Sequence, residues 1–283
     1  MKYPKVFPKE DLKKQPGLQS DMKTQPIMVR EGYKGSDKLK GKVALITGGD
    51  SGIGASCALH FAMEGAGVAI LYFNERQDAL KLQRDIEQMG GACFLIKGDI
   101  KDSQFCRDAI EKVVDRFGGL NILVNNAAMQ FQEEDFREMD LINMETTFQT
   151  NVFPLFYLTQ AALEYLNEGD TIINTTSITA FRGNPTLVDY SSSKGAILSF
   201  TRALSRSLAE KGIRVNAVAP GPIWTPLIPA TFESYEKFGQ NTPMGRAGQP
   251  AELGPGYVFL ASEDSSYMTG QTIHLNGGTI VGG

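Results

Sequence analysis

Residues 43–62 read VALITGGDSGIGASCALHFA. A short β-prone run, VALIT at 43–47, passes straight into a turn holding Gly48, Gly52 and Gly54, and then into a helical stretch beginning near residue 53. A turn without Cβ atoms lets the backbone bend sharply and approach a pyrophosphate, which then sits at the positive N-terminus of the helix. The spacing is G-x-x-x-G-x-G and departs from the common G-x-G-x-x-G pattern. With 30 glycines in the chain, three at a fixed spacing mean little alone. The strand before and the helix after make the reading a phosphate-binding loop rather than a structural turn.

Outward from this unit the same rhythm repeats. VAILYF (68–73), ACFLIK (92–97), NILV (121–124), TIINTT (171–176) and IRVNAV (213–218) read as further strands. Between them, helical stretches near 53–65, 75–89, 102–117, 143–167 and 188–211 are each long enough to cross over between parallel strands. Strands alternating with helices predict an α/β fold with a parallel sheet covered on both faces. No repeat of fixed period is present, which argues against a solenoid.

The chain has 283 residues, 42% of them hydrophobic and 21% charged, enough for one large soluble domain. A formal charge of −4 gives no general footprint for nucleic acid or for an anionic membrane. Cys57, Cys93 and Cys106 lie far apart, as do His60 and His274, so no disulfide framework and no metal site is expected. The N-terminus lacks the apolar stretch of a signal peptide and no run approaches a membrane span, so a cytoplasmic location is expected.

Residues 1–40 differ from the rest. They carry four prolines and ten Lys/Arg against five Asp/Glu, leaving −9 on residues 41–283. They read as an irregular basic arm: either a mobile tail, or a segment lying along its own body or a neighbouring subunit through Phe7, Leu12, Leu18, Ile27, Met28 and Val29.

The glycine turn, at T-G-x-x-x-G-x-G, resembles that of the short-chain dehydrogenase/reductase family. The resemblance spans about residues 42–278, and arm-bearing members of that family are grouped with bacterial general stress proteins and glucose dehydrogenase-like enzymes. It implies a Rossmann fold, a doubly wound sheet of seven parallel strands in the order 3-2-1-4-5-6-7. It also implies a nicotinamide dinucleotide held by Gly48, Asp50, Ser51, Gly52, Ile53, Gly54, Asn74, Asp99, Ile100, Asn126, Ala127, Pro220, Gly221, Ile223 and Thr225, together with Tyr190 and Lys194. Asp99 would meet the adenine, although alone it could as well cap the helix that follows. The family's N-N-A-G motif reads Asn125, Asn126, Ala127, Ala128 here, a change that slightly crowds the cofactor channel.

Tyr190 and Lys194 form Y-x-x-x-K, four residues apart and so on one helical face. An ammonium about 4 Å from a phenol contributes on the order of 4 kcal/mol at an effective dielectric near 20. That predicts a tyrosine pKa lowered towards neutrality, able to exchange a proton with an alcohol. Nine tyrosines would give roughly 0.5 such pairs by chance, so the pair needs company. Ser177, at the end of TIINTT, can donate to a carbonyl oxygen, though alone it reads as a cap or turn residue. Asn151 matches the family's relay asparagine; by itself it could only bridge a kink beside Pro154. The four complete the family's catalytic tetrad.

PGPIWTP (219–226 with its leading Ala) follows the sixth strand, and the stretch 222–245 reads as a substrate lid, with Trp224, Leu227, Ile228, Phe232, Tyr235 and Phe238 serving substrate contact, packing or a subunit interface. At the end of the second strand the ribose-binding acid of NAD-preferring enzymes is absent, but Asp50 and Glu75 would repel a 2′-phosphate. NAD is therefore favoured, with Arg76 keeping NADP open. The expected protein is a single-domain oxidoreductase acting on a small-molecule alcohol or carbonyl, without nucleic-acid or membrane partners. Its glycine spacing does not match extended members, and its Tyr–Lys spacing is narrower than that of enoyl reductases. A dinucleotide sensor or scaffold without turnover is the alternative. The resemblance further implies a homotetramer with GQTIHLNGGTIVGG (270–283) at an interface.

Overall fold

A computed structural model of the chain describes residues 3–10, 12 and 14–280. The last three residues of the expected interface segment, and residues 1, 2, 11 and 13 of the arm, lie outside the described residues. Seven strands, β1 (Val43–Thr47), β2 (Gly67–Tyr72), β3 (Cys93–Lys97), β4 (Ile122–Asn125), β5 (Thr171–Thr175), β6 (Arg214–Pro220) and β7 (Thr272–Leu275), form a parallel sheet in the order β3-β2-β1-β4-β5-β6-β7. The helices are α1 (Gly52–Met63), α2 (Arg76–Gln88), α3 (Ser103–Phe117), α4 (Leu141–Asn151), α5 (Phe153–Ala162), α6 (Thr179–Arg182), α7 (Val188–Leu208), α8 (Leu227–Thr231) and α9 (Gly254–Ala261).

β1, β4, β5 and β6 are buried along their whole length, which is why they read as continuous β-rich runs: both faces of the sheet carry helices. Alternate residues of β1 serve different cores. Ala44 and Ile46 pack in one cluster with α1 and α9 residues such as Phe61 and Leu260, whereas Val43 and Leu45 join another with Ile110 and Val113 of α3 and Leu158 of α5.

The stretch expected as one helix over 143–167 is two helices meeting at Val152. Pro154 lies in the first turn of α5, where its missing N–H costs nothing, so a new helix starts there. The strand order reverses between β1 and β4, where an open α/β sheet forms a ligand crevice beyond its carboxyl ends.

The arm packs against the body. Phe7 and Met22 are buried with Trp224, Ile228 and Tyr235 in a third core cluster. Further along, Ile27 N–H donates to Gln249 Oε1 at 2.9 Å and its carbonyl accepts from Ala251 N–H at 2.9 Å. Among the described residues of the arm, the one regular element is a short 3-10 turn, Gln19–Asp21, and polar contacts of this kind satisfy the backbone.

Candidate active site

A cleft of about 1000 Å³ opens over the carboxyl ends of β1, β4, β5 and β6. Gly48 (φ +57°) and Gly52 (φ +51°) occupy left-handed conformations that side chains resist. A Cβ on Gly54 would fall 2.1 Å from the Gly48 carbonyl oxygen, and one on Gly52 3.0 Å from Thr225 Cγ2. The turn therefore needs its glycines for backbone packing, and it brings the N-terminus of α1 to the cleft floor. Asn126 Nδ2 donates to the Thr47 and Gly48 carbonyls at 3.1 and 3.2 Å, and Thr47 Oγ1 accepts from Asn126 and Ala127 N–H, tying β4 to the turn.

Of the residues expected at a dinucleotide, Gly48, Asp50, Ser51, Gly52, Ile53, Asp99, Ile100, Asn126, Ala127, Pro220, Gly221, Ile223 and Thr225 line the cleft. Gly54 lies beneath it, in helix–strand packing. Asn74 is exposed outside it; the adjacent Glu75 is buried instead and its carboxylate accepts from Asn74 N–H at 3.1 Å. Asp99 does not cap α3, because Asp102 does so by accepting from Gln104 and Phe105 N–H. Asp99 pairs with Lys101 at 3.5 Å at the cleft wall. The glycine cradle, with the Asp99 carboxylate at the cleft wall and a helix N-terminus, fits a dinucleotide.

Ser177, Tyr190 and Lys194 converge on this cleft. Lys194 is 1% exposed; its Nζ donates to the Thr175 carbonyl at 2.9 Å and lies 5.4 Å from the Tyr190 ring centre. Its position is set by α7 packing over β5, with Thr176 Oγ1 donating to the Lys194 carbonyl. Burial dominates the electrostatics of the pair. It pushes Tyr190 up to about 12, against a hydrogen bond from Ser177 that holds it down, and pushes Lys194 down to about 7. Desolvation, rather than the attraction between the two side chains expected from their spacing, is the larger effect on both groups, so the Tyr190 pKa is raised and not lowered.

Asn151 is fully buried and does not line the cleft. Its Oδ1 accepts from Met129 N–H at 2.8 Å, and its Nδ2 donates to the Met129 carbonyl at 2.9 Å and to Ser193 Oγ at 3.0 Å. Ser193 in turn donates to the Tyr190 carbonyl at 2.7 Å. Asn151 thus fixes the cleft wall to the helix that carries Tyr190.

A family model described as Enoyl-(Acyl carrier protein) reductase matches residues 48–279. The chain belongs to the short-chain dehydrogenase/reductase family. It is 54% identical to General stress protein 39 of Bacillus subtilis over 99% of this chain and 98% of that one. It is 47% identical to Glucose and ribitol dehydrogenase of Daucus carota, covering 98% of each. A solved short chain dehydrogenase from Burkholderia cenocepacia in complex with NADP superposes with a TM-score of 0.81 at 32% identity, over 85% of this chain and 98% of that one. The chain is accordingly an oxidoreductase of the alcohol–carbonyl type on a dinucleotide-binding Rossmann fold.

Sequence reasoning missed several cleft residues. Gln15, Pro16 and Gly17 of the arm line it, as do Met129 and Gln130. Trp224, expected in the lid, is fully buried under Phe7 and does not reach the cleft, whereas Leu227, Ile228, Phe232, Tyr235 and Phe238 do. Among the described residues no group of three or more His, Cys, Asp and Glu could hold a metal ion, and no helix is long and apolar enough to cross a membrane.

Proposed function

We propose that the protein interconverts a secondary alcohol, or a similar CH–OH group, and its carbonyl, with Tyr190 as general acid/base. The observation that carries this reading is the convergence of Ser177, Tyr190 and Lys194 on the cleft that also holds the glycine turn. A bound nicotinamide dinucleotide supplies the hydride acceptor or donor. Tyr190 exchanges a proton with the substrate oxygen, and Ser177 donates a hydrogen bond to that oxygen as charge develops. Lys194, anchored by the Thr175 carbonyl, has donors left for a ribose hydroxyl and for the phenol. Asn151 supports proton relay by fixing the Met129 backbone beside Ser193. The four-residue Tyr190–Lys194 spacing supports alcohol–carbonyl chemistry over the enoyl reduction in the family model's description.

Asp50 and Glu75 are buried at the ribose end of the cleft, and this supports NAD over NADP. Residues 222–245 serve as lid, packed against the arm through Trp224, Ile228 and Tyr235. Leu141, Ile142, Phe153 and Phe156 are exposed on α4 and α5, which supports assembly into a homotetramer. Free, buried Cys57, Cys93 and Cys106 fit a reducing, cytoplasmic location.

The test is a panel of secondary alcohols, polyols and sugars with NAD and with NADP, followed by nicotinamide absorbance. Turnover by the wild type and none by Tyr190→Phe, with dinucleotide binding retained, is expected. Full activity in that variant overturns the assignment.

A further inference from the structure

The arm meets the cleft through two glutamine side chains. Gln15 Nε2 donates to the Gln130 carbonyl, and Gln15 Oε1 accepts from Gln130 N–H at 3.1 Å. The preceding residue, Met129, is gripped through the same two backbone groups by Asn151. Successive residues of an extended chain direct these groups to opposite edges. One carboxamide from α4 and one from the arm therefore clamp residues 129 and 130 between them. Gln130 is 4% exposed, and its Nε2 donates to Thr231 Oγ1 of α8 at 3.2 Å, which carries the clamp to the lid.

The second glutamine acts on the glycine turn from just outside the cleft. Gln19 Oε1 accepts from Gly52 N–H at 2.9 Å, the first N–H of α1 and part of the glycine turn. Gln19 is itself seated by the buried Asp78 carboxylate, which accepts from Gln19 N–H at 2.6 Å and from Ser20 N–H at 2.9 Å. Between the two glutamines, Pro16 and Gly17 line the cleft, and a Cβ on Gly17 would fall 2.9 Å from the Pro226 carbonyl oxygen. The segment is fitted to the lid at that point.

We propose that residues 15–17 are a working wall of the active site and that Gln15, within this wall, and Gln19, just behind it, are separate positioning residues. Gln15 holds the 129–130 backbone at the substrate end, and Gln19 holds the glycine turn at the dinucleotide end. This rests on the reading of the cleft as an alcohol–carbonyl site. An arm that merely packs would influence both ends alike; two independent clamps influence one each.

The experiment compares full-length Gln15→Ala, Gln15→Glu and Gln19→Ala with wild type and with Phe7→Ala, whose side chain anchors the arm away from the cleft. Steady-state kinetics give kcat and KM for the best alcohol of the panel, fluorescence titration gives Kd for NAD, and amide hydrogen exchange is followed across the chain. Gln15→Ala is expected to raise the alcohol KM on the order of tenfold, the loss of about one net hydrogen bond, while Kd for NAD stays within about twofold. Gln15→Glu keeps an acceptor for Gln130 N–H and falls between wild type and Ala. Gln19→Ala gives the converse, a raised Kd for NAD with the alcohol KM little changed. Phe7→Ala lowers Tm without either selective effect.

Equal shifts of KM and Kd in both glutamine variants, or changes in Tm alone, overturn the proposal. Absence of wild-type turnover would overturn the functional reading instead. Exchange then decides the proposal by itself: faster exchange confined to 126–132 in Gln15→Ala and to 48–54 in Gln19→Ala supports it, and uniform or unchanged exchange overturns it.

Discussion

Phe7 lies flat on Trp224, ring centres 3.9 Å apart and planes 13° from parallel, and neither side chain has any exposed surface. The contact joins the arm to the segment after β6, and polar bonds surround it. Trp224 Nε1 donates to the Thr24 carbonyl at 2.8 Å, and the buried Glu10 carboxylate accepts from Lys23 and Thr24 N–H at 2.6 and 2.9 Å. A basic, proline-bearing arm is thereby held largely by side-chain contacts.

Truncating Phe7 tests how much of the fold depends on this contact. Phe7→Ala should cost about 3–5 kcal/mol, because the void beneath Trp224 is enclosed by the arm and by Tyr235 and cannot readily collapse. Urea unfolding monitored by tryptophan fluorescence measures it, since Trp224 is the one tryptophan in the sequence. A loss below about 1 kcal/mol would mean that the arm is dispensable to the core.

The physical origin of each element explains how legible it was. β1, β4 and β6 announce themselves because strands buried on both faces carry unbroken β-prone sequence. The glycine turn is equally clear, because backbone contacts such as Gly54 against Gly48 admit no other residue. β7 was not picked out from its own residues: it is an edge strand, only half-buried, and TIHL at Thr272–Leu275 is too short and mixed to stand out. The cleft roles of Gln15 and Gln130 leave no local signal at all. Their partners are 115 residues apart, and a carboxamide that pairs with backbone can be drawn from any exposed glutamine. Asn74 and Glu75 show the limit of transferred motifs, where a one-residue difference decides which side chain turns inward.

Asp50 should make the protein, without dinucleotide, less stable as pH rises. Burial first, and then the nearby Glu75 carboxylate, raise its pKa from 3.8 to about 7. Between those values the folded state holds a proton that the unfolded chain has released, so stability falls through that window and the penalty is complete above about 7. Asp50→Asn removes the titration. Its Tm should exceed wild type at pH 8, where each pKa unit corresponds to about 1.4 kcal/mol, and the gap should close towards pH 4. A gap that does not vary with pH would contradict the assignment.

The same carboxylates bear on the choice of dinucleotide. Asp50 and Glu75 line the cleft where the second strand ends, so a 2′-phosphate would meet two buried acids. Wild type is expected to prefer NAD in kcat/KM, and Asp50→Asn combined with Glu75→Gln should raise the NADP/NAD ratio of kcat/KM by at least about tenfold, a change of 1.4 kcal/mol. If the wild type already prefers NADP, as the Burkholderia structure with NADP would allow for its own chain, these acids do not govern selection.

Ser177 offers a test of how Tyr190 is tuned. The Ser177 hydroxyl holds the Tyr190 pKa down against burial, which still leaves it near 12. Alcohol oxidation draws on the phenolate, and each unit of additional upward shift reduces that form about tenfold at a given pH. Ser177→Ala should therefore move the alkaline rise of the oxidation rate to higher pH. It also removes the donor aimed at the substrate oxygen, so kcat should fall by about 10²–10³ even where the phenolate is formed. Dinucleotide affinity should be unchanged, because the glycine turn and Lys194 are untouched. With the oxidised dinucleotide bound, whose positive charge would lower the Tyr190 pKa, paired pH–rate profiles of wild type and variant separate the two effects: the shift reports the hydrogen bond to Tyr190, and the drop at the plateau reports the lost donor. A variant with an unshifted profile and a lowered plateau would assign Ser177 to the substrate oxygen alone.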